Sequence, residues 1–250
     1  MSIAAVRIGA DNCAYVLADG RAAAVVDPGD AHPVSRFLQQ HGLSLSHILL
    51  THMHGDHTAG AAALKRETRC RVIGPSGGGL SGGVDERARE GATWAIGSYE
   101  VRALETPGHT AGDISYHVPA LHAVFTGDTM FVAGCGRLFG GSAETMWRSL
   151  QKIAALGDDT LVYPGHDYTE ENLRFAVRVE PENYAVNKRL LEIRSVAGRS
   201  EPAVPSPMGL ERMTNPFLRA GDPSMKKALG MERATDAQVF AELRKRKDRF

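Results

Sequence analysis

Directly after the apolar run Ile48-Leu49-Leu50 the chain reads Thr51-His52-Met53-His54-Gly55-Asp56-His57. No other feature constrains the fold as tightly. Three imidazoles and a carboxylate within six positions are too polar to pack as core and too dense to be incidental, but they are good metal ligands. Placed at the end of a strand, such a loop is rigidly anchored while its side chains project. The same grammar recurs three times. Val101 to Leu104 leads to Thr106-Pro107-Gly108-His109, Ala123 to Phe125 to Thr126-Gly127-Asp128, and Leu161 to Tyr163 to Pro164-Gly165-His166. A lone histidine after a strand is ordinarily structural or exposed, so each of these carries little by itself. Beside the cluster they gain weight together. His52, His54, His57, His109, His166, Asp56 and Asp128 make seven candidate ligands, too many for one tetrahedral ion. They suit two ions if one carboxylate bridges. Imidazole and carboxylate together fit zinc, iron or manganese. His32, His41, His47, His117 and His122 lack the strand-end context and read as ordinary histidines.

Around these motifs the first two-thirds of the chain reads as short strands: Ala5 to Ile8, Cys13 to Leu17, Ala22 to Val26, Ile48 to Leu50, Arg71 to Ile73, Tyr99 to Leu104, Ile114 to Val118, His122 to Phe125 and Thr160 to Tyr163. Helices are predicted over Pro33 to Gln40, Ala59 to Glu67 and Ser142 to Leu156, the last with Ser142 as its cap. After about residue 167 the pattern turns helical, with Thr169 to Val179, Glu182 to Arg194 and Asp236 to Lys247 as the predicted elements. A Pro-rich connector spans positions 201–207. The expected organisation is a strand-rich domain over residues 1–167 and a helical domain over 168–250. The Gly-rich stretch at 76–83 lacks the Gly-Lys-Ser/Thr ending of a phosphate loop and reads as a plain loop.

Composition narrows the partners. Lys plus Arg (29) balance Asp plus Glu (29), so no global field draws the chain to nucleic acid or an anionic membrane. Cys13, Cys70 and Cys135 are odd in number and sit at no metal-ligand spacing, which favours a reducing compartment over a disulfide framework. With no leader-like or membrane-length apolar run, the expected location is the cytoplasm. A monomer acting on a small molecule is the default expectation.

The His-x-His-x-Asp-His run, followed by Gly-His, Gly-Asp and Gly-His at strand ends, resembles the metallo-β-lactamase superfamily. Within it, the chain is similar to the glyoxalase II (hydroxyacylglutathione hydrolase) family from Thr51-His52 to Phe250. The specific segments are Phe125-Thr-Gly-Asp-Thr-Met-Phe-Val-Ala-Gly-Cys-Gly-Arg137, Tyr163-Pro-Gly-His-Asp-Tyr-Thr-Glu-Glu-Asn-Leu-Arg-Phe-Ala176, Asn215-Pro-Phe-Leu-Arg219 and the closing Arg244-Lys-Arg-Lys-Asp-Arg-Phe250. The resemblance implies an α/β fold, the αβ/βα sandwich, with a C-terminal helical domain. It implies two divalent metal ions per chain, zinc first and iron or manganese as alternatives. His52, His54 and His109 would hold one ion and Asp56, His57 and His166 the other, with Asp128 bridging. It implies glutathione contacts from Arg137, the position of Phe139, His166, Tyr168, Arg244 and Lys247, with the terminal basic pair on the glycine carboxylate. Phe139 departs from the family pattern, where Tyr is common.

The implied reaction is thioester hydrolysis of S-D-lactoylglutathione to glutathione and D-lactate. Two dications would lower the pKa of a bridging water so that hydroxide exists near neutral pH, and the hydroxide would attack the carbonyl. Asp56 and Asp128 would orient it. Rival readings share the fold. A lactonase or β-lactamase would not need the Arg137, Tyr168 and Arg244 set. A persulfide dioxygenase uses one iron and dispenses with part of the second site. A nuclease would carry a basic, aromatic-rich stripe. A purely metal-binding protein would show no turnover.

Overall fold

The structure is a computed structural model that describes residues 2–75, 83–195 and 203–250. The Gly-rich loop, except Gly83, and the first two residues of the Pro-rich connector lie outside them. The chain divides into two compact units, Met1–Glu105 with Gly112–Gly127, and Thr106–Ala111 with Asp128–Phe250.

The first unit begins with β1 (Ser2–Ile8), β2 (Asn12–Asp19) and β3 (Ala22–Val26), an antiparallel meander. Gly9 and Gly20 turn the chain with φ of +66° and +59°, a region that disfavours side chains with a Cβ. Helix α1 (Ala31–Gln40), capped by Asp30 accepting from His32 N–H, carries the chain to β4 (Ser44–Leu49), parallel to β3. Then come α2 (Gly55–Thr58), α3 (Ala61–Thr68), β5 (Arg71–Gly74) and the short β6 (Glu86–Arg87), each strand parallel to its predecessor. A second, antiparallel sheet follows from β7 (Thr93–Ile96), β8 (Tyr99–Glu105), β9 (Ile114–Val118) and β10 (Ala123–Gly127).

These two sheets meet through apolar faces. Tyr15 of β2 and Phe125 of β10 bring ring centroids to 5.5 Å. Fully buried Tyr116 of β9 donates its hydroxyl to the Leu50 carbonyl at 2.9 Å. On the other face of the first sheet, Val34 and Leu38 of α1 and Leu64 of α3 pack with Val6, Val16, Val25, Ile48 and Val72. Strand β2 is buried from Asn12 to Leu17, which explains its continuous apolar run rather than alternation. The helix expected over Ala59 to Glu67 is α3, which begins at Ala61 because Ala59-Gly60 separates it from the single turn α2. A Cβ on Gly60 would lie 2.5 Å from Ala31 N and Pro28 O. That close approach to the β3–α1 loop ends α2.

The second unit holds the hairpin β11 (Met130–Phe131) and β12 (Gly134–Cys135), helix α4 (Ala143–Ala154), β13 (Leu161–Pro164), α5 (Thr169–Val179) and α6 (Tyr184–Ser195). It continues with β14 (Ser206–Pro207), α7 (Met208–Thr214), α8 (Pro223–Leu229) and α9 (Asp236–Lys247). Ser142 caps α4 by accepting from Thr145 N–H, and Thr235 with Gln238 forms a reciprocal capping box on α9. The Pro-rich connector is not all loop, since Ser206 and Pro207 pair with Val162 and Leu161.

A buried polar network fixes the hairpin. Arg189 Nη1 pairs with Glu211 Oε1 at 2.8 Å, and Glu211 Oε2 accepts from Ala133 N–H at 2.8 Å. Asn215 Nδ2 donates to the carbonyls of Phe131 and Gly134, and Asn172 Nδ2 to that of Val132. With its charges paired and its donors satisfied, the network holds the hairpin and the Arg137 segment that follows it in place. Among the described residues no helix is long and apolar enough to cross a membrane. None of the three cysteines forms a disulfide.

Candidate metal centre

In the first unit, β4 ends at Leu49 and the chain bends through Thr51 and His52 before α2. Met53 packs toward the core while His52 and His54 project on the opposite side, their rings 4.7 Å apart edge to face. The His57 ring lies 4.2 Å from that of His52, and its Nε2 is 3.6 Å from Asp56 Oδ2. The loop is clamped from below. Asn12 donates to the Asp56 carbonyl at 2.7 Å, and a Cβ on Gly29 would stand 1.8 Å from that same oxygen. Only glycine permits this approach.

Asp27 organises the cluster. It directly follows β3 with φ of +49° and is fully buried. Its Oδ1 accepts from Thr51 N–H at 2.8 Å, and its Oδ2 from Thr51 Oγ1 at 2.6 Å and His57 Nδ1 at 3.0 Å. Asp27, His52 and His57 present donor atoms within 4.8 Å of one another. Both Asp27 oxygens are already engaged, so it supports the ligands rather than joining them. Because the Thr51 hydroxyl gives its proton to Asp27, it accepts from His52 Nδ1 at 3.0 Å. Both imidazoles are thereby held as Nδ1–H tautomers, each with a lone pair on Nε2.

The second unit supplies the complementary pattern. His109 Nδ1 donates to the Arg137 carbonyl at 2.9 Å, which again leaves Nε2 with a lone pair. His109 Nε2 lies 3.5 Å from Asp128 Oδ2, and His166 Nε2 lies 3.7 Å from Asp128 Oδ1. These separations are too long for hydrogen bonds. They match two ligands sharing an ion, since atoms each about 2.1 Å from a tetrahedral metal stand about 3.4 Å apart. The Asp56–His57 distance fits the same rule. Asp128 thus turns one oxygen to each of two histidines, as a bridging carboxylate must. The donor set and its fixed tautomers fit divalent metal.

Glycines make this packing possible. A Cβ on Gly136 would stand 2.0 Å from the Asp128 carbonyl oxygen and 3.0 Å from His109 Nδ1. One on Gly127, where φ is +49°, would stand 2.2 Å from Thr51 Oγ1.

The candidate substrate residues also lie in the second unit. Tyr168 stacks on His166, with centroids 5.1 Å apart and planes 5° from parallel, and the Phe131 ring meets both edge-on. Exposed Phe139 stands edge-on to His109 at 5.3 Å and donates its backbone N–H to the His109 carbonyl. Arg244 is buried. Its Nη1 donates to the Cys135 carbonyl at 2.8 Å, its guanidinium covers the Phe217 ring, and it pairs with Asp248. Lys247 pairs with Glu171. Arg137 is exposed, with Nε 4.0 Å from Asp248 Oδ1.

Comparison with known proteins decides the family. The Metallo-beta-lactamase superfamily description matches residues 9–166, and "Hydroxyacylglutathione hydrolase C-terminus" matches residues 167–250. A hydroxyacylglutathione hydrolase of Rhizobium meliloti (strain 1021) is 46% identical over 96% of this chain and 95% of its own length. The chain belongs to the hydroxyacylglutathione hydrolase family. A second member, from Ruegeria pomeroyi, is 45% identical over the same shares. Among solved structures, ETHE1 from Myxococcus xanthus superposes with a TM-score of 0.68 at 27% identity, over 96% of this chain and 95% of its own. The fold is therefore the metallo-β-lactamase α/β fold expected from the sequence.

In this member of the hydroxyacylglutathione hydrolase family, Asp27 is the functional residue that sequence reasoning passed over. The signal was present, because Ala22 to Val26 is a fifth apolar strand ending on an acidic residue. Cys135 is buried beside the Arg244 guanidinium. Burial pushes its thiol up to about 11, so it stays protonated and inert near neutrality.

Proposed function

We propose that this chain hydrolyses the thioester of S-(2-hydroxyacyl)glutathione, S-D-lactoylglutathione above all, to glutathione and D-lactate. The observation that carries this reading is similarity to hydroxyacylglutathione hydrolases over nearly the whole of both chains. The proposed ligands of one ion are His52, His54 and His109, and those of the other are Asp56, His57 and His166, with Asp128 shared. Zinc is the proposed metal, with iron or manganese tolerated by the same donors. Residues 1–167 would supply the hydrolytic centre and residues 168–250 most of the glutathione site.

When bound, two divalent ions supply Lewis acidity and an acidified water near neutral pH. The chain's own groups do the rest. Asp27, through Thr51 and His57, keeps protons on Nδ1 and leaves Nε2 as the donor atom. The Arg137 carbonyl does the same for His109. Asp56 and Asp128 are the proposed orienting groups for the attacking water. Phe131, Tyr168 and Phe139 present aromatic surface beside His166 and His109, where an acyl group would displace water. Arg137, Arg244 and Lys247 supply positive charge for the glutathione carboxylates. The departing thiolate has a conjugate-acid pKa of about 8.5, so it leaves without a proton from the chain.

The proposed setting is a cytoplasmic monomer with neither nucleic acid nor membrane as partner, in keeping with zero net charge and three buried thiols outside any disulfide. The test is loss of thioester absorbance with S-D-lactoylglutathione and metal-loaded protein. Turnover with equimolar glutathione release is expected. No hydrolysis, with oxygen uptake on glutathione persulfide instead, would overturn the reading.

A further inference from the structure

Two cations of the proposed glutathione site are occupied by the protein's own carboxylates, and the two sides of each pair differ in the same way. Arg244 has a side chain only 6% exposed, whereas its partner Asp248 is 45% exposed. Lys247 is 7% exposed and its partner Glu171 is 60% exposed. In each pair the cation is held by the fold and the anion faces solvent.

The Arg244 pair shows what this arrangement does. One edge of the guanidinium is fixed, with Nη1 on the Cys135 carbonyl at 2.8 Å and Cζ 5.1 Å from the centroid of the Phe217 ring. The other edge, Nε and Nη2, faces a single oxygen, Asp248 Oδ1, at 3.1 and 3.0 Å. That is the edge with which a fixed arginine receives a carboxylate. The same oxygen lies 4.0 Å from Arg137 Nε, so Asp248 stands between two of the proposed substrate-binding cations. Its position gains nothing from the helix. Asp248 is the C-cap of α9, where the macrodipole disfavours negative charge. Four basic residues, Arg244 to Lys247, occupy the last turn before it, and the Arg244 pair offsets the unfavourable end charge.

We propose that Asp248 is an affinity-setting residue: an internal carboxylate that occupies the Arg244–Arg137 site until a carboxylate of the substrate displaces it. The inference rests on the glutathione reading above. Substrate then exchanges one ion pair for another instead of capturing a bare, buried arginine. The enzyme gives up affinity, and the site is never left with an uncompensated buried charge. Glu171 fills the same role for Lys247.

The test is Asp248→Asn in the metal-loaded, full-length protein. Asn keeps the shape and removes the competing charge. Two readouts are needed: steady-state hydrolysis of S-D-lactoylglutathione, and calorimetric binding of S-methylglutathione, a thioether the enzyme cannot cleave. The expected result is a KM and an S-methylglutathione Kd each lowered about two- to fivefold, the range of a part-exposed ion pair, with kcat unchanged. A higher KM and weaker S-methylglutathione binding would make Asp248 a positioning residue for Arg244 and overturn the proposal, as would no change in either. Asp248→Ser with a thermal melt checks that a rise reflects lost binding rather than lost fold. If wild-type protein neither cleaves the thioester nor binds S-methylglutathione, the glutathione reading itself fails, independently of Asp248.

Discussion

Asp27→Asn keeps the size of the side chain and replaces one accepting oxygen by a donating NH2. The native carboxylate accepts three hydrogen bonds, one on Oδ1 from Thr51 N–H and two on Oδ2 from Thr51 Oγ1 and His57 Nδ1. The amide oxygen must stay on Thr51 N–H, whose donor is fixed, so the NH2 faces Thr51 Oγ1 and His57. The hydroxyl can rotate to accept. His57 adapts only by moving its proton from Nδ1 to Nε2, the atom the metal needs. Resisting that tautomer costs a buried hydrogen bond to a former anion, about 1.5–3 kcal/mol. Substitutions of such supporting partners typically weaken metal affinity by about 10–100-fold, or about 1.4–2.8 kcal/mol, so the two routes agree. Competition of metal-loaded protein against a chelator should release the ion proposed for His57 about 10–100-fold more readily in the variant. A urea midpoint measured alongside separates this from global loss of stability. Unchanged affinity for both ions would refute the argument that Asp27 selects the His57 tautomer.

Gly136→Ala places a methyl within 2.0 Å of the Asp128 carbonyl oxygen, so kcat should fall at least about tenfold by displacement of Asp128 and His109, read in steady-state assays. Arg137→Ala removes an exposed cation whose pair with Asp248 is long and solvent-screened, so KM should rise about three- to tenfold through loss of the proposed substrate contact, with kcat and melting temperature little changed. Burial lowers the pKa of His47 and of His117 below the usual 6.5. The unfolded chain therefore takes up these protons more readily than the folded one, so stability is lost as pH falls through 6.5 toward the folded values and regained as it rises. Melting temperature should drop over that window, and less steeply in a His47→Gln, His117→Gln double variant. An equal drop in both proteins would place the acid sensitivity elsewhere.

The strand-end motifs were legible because each combines an apolar run with Gly and a ligand type, and both signals are local. The bridging role proposed for Asp128 was legible only through the family resemblance, and its two-sided placement against His109 and His166 came from the structure. Asp27 escaped because one acidic residue before Pro28-Gly29 reads as a turn former, and its partners lie 24 and 30 positions away. The start of α3 after Gly60 rather than at Ala59 escaped for the same reason, since the backbone that forbids a Cβ there belongs to Pro28, Asp30 and Ala31. β14 exists only by pairing with β13, and no local pattern marks two residues of a Pro-rich run as a strand. Nothing in the run of charge from Arg244 to Lys247 marks two of its side chains as drawn inward. Phe217, Phe175 and the Cys135 carbonyl draw them there, as long side chains with apolar stems permit.

As proposed, hydrolysis needs two ions held by seven ligands that share Asp128. Adding metal stepwise to metal-free protein while following S-D-lactoylglutathione cleavage tests it directly. Turnover should climb to a break at two equivalents per chain. A plateau at one equivalent, or full turnover before any metal is added, would contradict it.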